Sequence, residues 1–216
     1  MLLLPQLEKT VSKIDLEMVS SERREILQPM VDYIREKLIR GQLVRLNFIC
    51  THNSRRSHLS QVWAQSMAHY LGFDMVFCYS GGTESTAIYP MVADVLKLQG
   101  FEVETTDQSH NPVYTFKYSM TEPPIIGFSK KWDDEFNPQT GFAAVMTCSH
   151  AHETCPFIVG AEVRLPVTYE DPKHHDSSPE QEAKYAERSI QIASEMLYVF
   201  TMVGVGRRIQ KESMNH

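Results

Sequence analysis

Residues 43–60 read Leu43-Val-Arg-Leu-Asn-Phe-Ile-Cys50-Thr-His-Asn-Ser-Arg-Arg56-Ser57-His-Leu-Ser60: an apolar strand pattern runs into a cysteine, a short polar turn and the start of a helical pattern. The thiolate rather than the thiol is the nucleophile, so a reactive cysteine needs an electropositive setting. A turn between strand and helix supplies one, because its backbone N–H groups can face inward and the helix N-terminus adds partial positive charge. Arg56 adds a planar fork of donors matched to a tetrahedral oxyanion. The Ser57 hydroxyl is placed to hydrogen-bond the Cys50 sulfur and favour its ionised form.

A cysteine and an arginine at this spacing also occur by chance, since most free cysteines are small buried hydrophobes. The context argues for chemistry. Asn53 and Ser54 tolerate the backbone angles of an inward-facing loop, and the strand before and helix after fit a nucleophile cradle. Thr51, His52, Asn53, Ser54 and Arg55 are therefore read as an oxyanion-binding loop, with Cys50, Arg56 and Ser57 as its reactive members.

Outward from this stretch, strands are predicted over 43–50, 74–79, 113–118, 124–129 and 142–148, with a short extended piece at 101–104. Helices are predicted over 57–71, 88–99 and about 179–203. Apolar strands interleaved with amphipathic helices predict an α/β fold with a largely parallel sheet. Ligands in such sheets sit at the carboxyl ends of the strands, where Cys50 lies. Residues 6–40 carry helical apolar spacing, Ser20 and Ser21 ahead of Glu22 as a helix start, and Gly41 as a stop. They are read as two short helices packed on the core, with a dimer contact as the alternative. Residues 1–41 thus form an N-terminal helical extension and 42–216 a catalytic domain. The aromatics between 104 and 142 read as a small satellite core.

Two further segments carry chemistry. Cys148-Ser-His-Ala-His-Glu-Thr-Cys155 follows the apolar run 142–147. His150 and His152 raise zinc, but zinc sites usually space paired cysteines by about two to four residues. A redox pair, in which one thiolate attacks and the other resolves, fits the spacing better; two independent buried thiols are the alternative. Asp171-Pro172 is by default a turn. Cys78, at the end of a strand pattern, reads as core.

Cys50-x5-Arg56-Ser57 resembles the anion loop of the low-molecular-weight protein tyrosine phosphatases and of the arsenate reductases that share their fold. Cys148-x6-Cys155-Pro156 resembles the shuttle loop of the thioredoxin-coupled arsenate reductases, and Tyr79-Ser80-Gly81 resembles the family segment whose serine backs the anion loop. The resemblance covers most of residues 43–203. It implies a three-layer αβα fold with a four-stranded parallel sheet and Asp171 as general acid. It also implies Cys148 and Cys155 as relay thiols, and thioredoxin as reductant. The substrate it implies is arsenate, or a phosphate ester if the chain is a hydrolase working through phosphocysteine. Three positions depart from the family pattern. His52 replaces a frequent Gly, Arg55 replaces a frequent Cys, and Lys173-His174 replace the aromatics that frame a phosphotyrosine. Gln61 stands where a potassium-supporting carboxylate is expected, so no potassium site is assigned.

Composition sets the remaining bounds. The chain has 216 residues, 42% hydrophobic and 22% charged, with a formal charge of −6 and four cysteines. That suits one globular domain with an appendage, and the absence of a basic stripe argues against nucleic acid. No apolar stretch has the length of a membrane span or a signal peptide. So few cysteines point to the reducing cytosol rather than to a disulfide scaffold. No cofactor and no metal are called for.

Overall fold

The computed structural model describes residues 2–105, 108–155 and 157–213, with side chains up to residue 205. Four parallel strands form the central sheet in the order β2-β1-β6-β7: β1 is Val44–Cys50, β2 Val76–Gly82, β6 Phe142–Met146 and β7 Ala161–Pro166. Alternation along β1 and β6 gives the sheet two apolar faces. Leu46, Phe48, Ala143 and Val145 join the main core, whereas Ile49, Phe142, Ala144 and Met146 join a smaller cluster on the opposite side. Helices cover both faces, giving the three-layer αβα arrangement expected from the sequence.

The main core lies under α2 (Ser21–Ile39), α3 (Arg56–Tyr70), α4 (Pro90–Leu98) and α6 (Gln181–Ser213). Trp63 of α3 is fully buried, meets Phe101 edge-on at 5.0 Å and donates its indole N–H to Ser189 Oγ of α6 at 2.8 Å. Burial of such a ring is worth about 3 kcal/mol, provided its N–H keeps a partner. Residues 5–39 form α1 (Pro5–Val11), a 3-10 turn at Leu16–Met18 and the nineteen-residue α2. Leu7, Leu27, Met30, Val31 and Ile34 sit in the same core as α3 and α6. Among the described residues no helix is long and apolar enough to cross a membrane.

The sheet differs from expectation in two ways. The strands predicted near 101–104, 113–118 and 124–129 do exist, as β3 (Glu102–Thr105), β4 (Tyr114–Lys117) and β5 (Ile125–Gly127). They form a separate antiparallel sheet and do not extend the parallel one. Their short connections explain this, because a parallel crossover needs a dozen or more residues. The fourth parallel strand is instead β7, whose Ala161-Glu-Val-Arg-Leu-Pro166 is too polar to read as a buried strand. It lies at the sheet edge, where charge and proline are tolerated.

Topology positions the site. From β1 the chain crosses through α3 to β2 on one side, and from β6 it crosses through α5 (Ser149–Thr154) to β7 on the other. The loops after β1 and β6 therefore part at a switch point, where a crevice opens beyond the strand ends. Cys50 ends β1 and Cys148 follows β6, one on each side of that crevice.

Candidate active site

Turn geometry is imposed by Asn53 and by β2. Asn53 has φ 44°, in the left-handed region that asparagine enters more readily than most residues. Its side-chain oxygen accepts from Lys130 N at 2.9 Å and its carbonyl accepts from His58 Nε2 at 3.0 Å. A carbonyl cannot donate, so His58 carries its proton on Nε2. Nδ1 is then free to accept from Ser80 Oγ at 3.2 Å. Burial, and then the nearby Lys130 charge, holds His58 well below the usual histidine range, so it remains neutral. Ser80 thus backs the loop through His58, a residue that the sequence reading did not single out. Gly82 lies opposite Cys50, and a Cβ there would meet Glu84 O at 2.3 Å and both Asn53 N and Thr51 O at 2.7 Å. Only glycine lets β2 approach the loop this closely.

Hydrogen-bond direction at the nucleophile follows from donors and acceptors. Asn53 Nδ2 donates to Ser57 Oγ at 2.9 Å, leaving the hydroxyl proton of Ser57 to point at Cys50 Sγ, 3.1 Å away. A donor chain from Asn53 through Ser57 ends on the sulfur. Cys50 is buried, and α3 begins at Arg56, so the N-terminal end of a fifteen-residue helix faces the same loop.

The two arginines divide their work. Arg56 Nη2 pairs with Asp171 Oδ2 at 2.5 Å, and its Nη1 donates to the Tyr169 carbonyl at 2.9 Å. Arg55 turns away from Asp171, pairing with Asp176 at 2.5 Å and donating Nε–H to the Tyr185 hydroxyl. Cys50, Thr51, His52, Ser54, Arg55, Arg56 and Asp171 line a bowl of only about 10 Å³. That is room for about one water, and the Arg56 guanidinium at its rim is already engaged by Asp171 and the Tyr169 carbonyl. Beside the bowl, a larger cavity of about 530 Å³ opens between Cys148, His150, His174, His175, Lys184 and Arg188. The His52 ring is partly exposed, 3.6 Å from the Glu84 carboxylate.

Three of the four cysteines gather at this end of the sheet. Cys50, Cys148 and the partly exposed Cys155 pack on the small cluster around Ile49, Met146 and Ala151, while Cys78 lies in the main core. Cys148 Sγ stands 3.5 Å from Thr51 Oγ1 and accepts from Ala151 N at 3.3 Å. The segment 149–154 is the short helix α5, capped by the Cys148 sulfur. Six residues are too few for a helix to be stable alone. Its outer side is held by Arg164, which donates to the His152 carbonyl at 2.8 Å. Pro156, expected to limit the movement of this segment, lies outside the described residues. Gln61 donates to the Cys78 carbonyl at 3.1 Å. Among the described residues, no three of His, Cys, Asp and Glu gather as a metal ion would require.

No protein-family model and no curated protein matches the sequence. Solved structures do. A low-molecular-weight phosphotyrosine phosphatase from Vibrio cholerae is 12% identical, with 73% of this chain and 94% of that one covered and a TM-score of 0.49. An arsenate reductase from Archaeoglobus fulgidus is 16% identical, covering 72% of this chain and 98% of the other, with a TM-score of 0.45. A thioredoxin-dependent arsenate reductase from Corynebacterium glutamicum is 16% identical over 86% of this chain and 71% of its own, with a TM-score of 0.42. Low-molecular-weight tyrosine phosphatases, arsenate reductases and an arginine phosphatase are among the solved structures similar to this chain.

Proposed function

We propose that residues 42–216 are a cysteine-nucleophile enzyme acting on a small tetrahedral oxyanion, reducing arsenate to arsenite, with residues 1–41 as an extension packed on it. The observation that carries the reading is the gathering of Cys50, Cys148 and Cys155 on one apolar cluster, with Cys78 left in the main core. The Cys50 thiolate attacks arsenic(V), and Asp171 protonates the departing oxygen. Arg56 and the loop hold the developing negative charge. Cys148 then attacks the Cys50 sulfur. A Cys50–Cys148 bond forms, the sulfur–arsenic bond breaks, and its electron pair leaves with arsenic as arsenite. Cys155 attacks Cys148 in turn, which frees Cys50 and leaves a Cys148–Cys155 disulfide for thioredoxin to reduce.

Cys148 must leave its cap on α5 before it can attack, so α5 has to unwind. A single cap hydrogen bond is worth about 1 kcal/mol, and a six-residue helix adds little, so unwinding is cheap. Three free thiols working in relay need a reducing compartment, and we assign the enzyme to the cytosol.

The second reading is a hydrolase, in which water cleaves a phosphocysteine at Cys50. It shares Asp171 on Arg56, at the rim of the Cys50 bowl, with the first reading, and it has no use for Cys148 and Cys155. The two readings separate in a paired assay of the purified protein, with arsenate plus thioredoxin on one side and para-nitrophenyl phosphate on the other. The reductase reading expects Cys148→Ser to stop arsenate turnover after the first adduct while phosphatase activity stays within about twofold. If Cys148→Ser reduces arsenate as fast as the parent, the hydrolase reading replaces it.

A further inference from the structure

Arg55 and Arg56 are neighbours in the turn that enters α3, and each holds one aspartate of the same segment. Arg56 holds Asp171, and Arg55 holds Asp176, five residues on. Both pairs are largely shielded from solvent, with the Arg55 side chain 13% exposed. Three groups use the Arg55 guanidinium at once. Nη2 pairs with Asp176 Oδ2, Nε–H goes to the Tyr185 hydroxyl at 2.5 Å, and its face lies 4.2 Å from the centre of the Tyr89 ring. Tyr185 passes its own proton to Asp176 Oδ1 at 2.6 Å, and burial, then that hydrogen bond, keeps it a phenol. Tyr89 donates to Gln181 Oε1 at 3.1 Å, and the same oxygen accepts from Ser177 N at 2.6 Å. Ser177 is in the left-handed region with φ 60°, so the chain turns sharply there into α6.

Resting contacts leave a problem for catalysis. A bidentate grip on substrate requires the Arg56 fork, and the same fork holds Asp171 before substrate arrives. When an anion enters the bowl, Asp171 loses its partner and keeps only the turn contact from Lys173 N to its Oδ1 at 3.1 Å. A general acid must nevertheless stay within hydrogen-bond reach of the leaving oxygen. Upstream, Tyr169 is fixed by Thr147 O at 3.1 Å and by Glu195 at 2.8 Å. Downstream, Tyr185 of α6 holds Asp176 Oδ1 and Ser178 donates to the His175 carbonyl, and Arg55 is what joins Asp176 to the anion loop.

On the reading that Asp171 is the general acid, we infer that Arg55 is its positioning residue: it ties the 171–176 segment to the anion loop at the moment Arg56 exchanges Asp171 for substrate. The neighbouring arginines thus play different parts, one turning to the anion and the other keeping the acid overhead. Lysine at 55 keeps the charge but cannot serve a carboxylate, a phenol and a ring face together.

Leaving-group dependence tests this. Para-nitrophenol departs readily as its anion, whereas phenol needs the proton. The kcat/KM ratio of para-nitrophenyl phosphate to phenyl phosphate therefore reports how well the acid is placed. Arg55→Lys and Asp176→Asn are each expected to raise that ratio at least about tenfold, towards the value of Asp171→Asn, with Asp176→Glu restoring part of it. Neither should raise the ratio further when combined with Asp171→Asn. A second measurement needs no turnover. Amide hydrogen exchange at Tyr169, Lys173, Asp176 and Ser177 is followed with and without saturating inorganic phosphate. With phosphate bound, these amides should stay protected in the parent and exchange at least about tenfold faster in Arg55→Lys and Asp176→Asn. Equal losses on both esters, or variants as protected as the parent with phosphate bound, would overturn the positioning role. A parent that cleaves neither ester counts against the hydrolytic reading, and the exchange comparison then decides the tether by itself.

Discussion

Cys50→Ser is expected to abolish arsenate reduction and aryl phosphate hydrolysis together, each by about a thousandfold or more in kcat, on the order seen when a nucleophile of a catalytic unit is removed. The size of the effect follows from the wiring of the site. Ser57 has one hydroxyl proton, and the Asn53 amide already occupies an oxygen lone pair, so that proton is directed at position 50. A sulfur at that place accepts it. A serine hydroxyl at the same place has no base to ionise it, since His58 faces Asn53 and Ser80 instead. The substitution changes one atom in a buried site, so the thermal midpoint should stay within a few degrees. Activity within tenfold of the parent, in protein of parental stability, would remove Cys50 from the chemistry.

Arg56→Lys is expected to cost about a hundredfold in kcat for both substrates, on the order of 3 kcal/mol of transition-state stabilisation. An ammonium keeps the charge but offers no parallel pair of donors, so one equatorial oxygen of the anion goes unheld. The same change gives up either the Asp171 contact or the Tyr169 carbonyl, which the guanidinium now holds together. Steady-state kinetics on both substrates checks this, and a loss below threefold would show that the oxyanion clamp lies elsewhere. The contrast with Arg55→Lys is informative. There the loss should concentrate on the ester that needs its leaving group protonated, because the Arg55 guanidinium, at the edge of the bowl, is committed to Asp176 and Tyr185.

Local signals in the sequence were sufficient for the shape of the Cys50 turn. The strand into Cys50, the asparagine with positive φ and the Ser57 hydroxyl on sulfur all lie within eight positions of one another. The parallel sheet was legible for β1, β2 and β6; the apolar runs of β1 and β6 are buried on both faces, whereas the edge strand β2 leaves Phe77 exposed. β7 was not, because an edge strand needs no apolar pattern and Glu162 and Arg164 sit on it openly. The antiparallel sheet of β3, β4 and β5 was seen as strands without its pairing, which depends on connection length more than on composition. Within the site, the sequence could not pair each arginine with its aspartate, since the partners stand 115 and 121 positions apart. It likewise treated His58 as one more helical residue, when its ring joins β2 to the loop carbonyl. From the sequence Arg55 read as a member of the oxyanion loop, and the structure adds its partners, Asp176 and Tyr185.

The thiol relay is tested most directly by exposing Cys155→Ser to one equivalent of arsenate without reductant and mapping its peptides by mass spectrometry under non-reducing conditions. Cys148 must reach Cys50 from its cap on α5, and without Cys155 the resulting bond has no resolving thiol. The relay predicts one arsenite released per protein molecule and a linked peptide joining Cys50 to Cys148. Repeated turnover with thioredoxin, or arsenite released with Cys50 and Cys148 still unlinked, would contradict it.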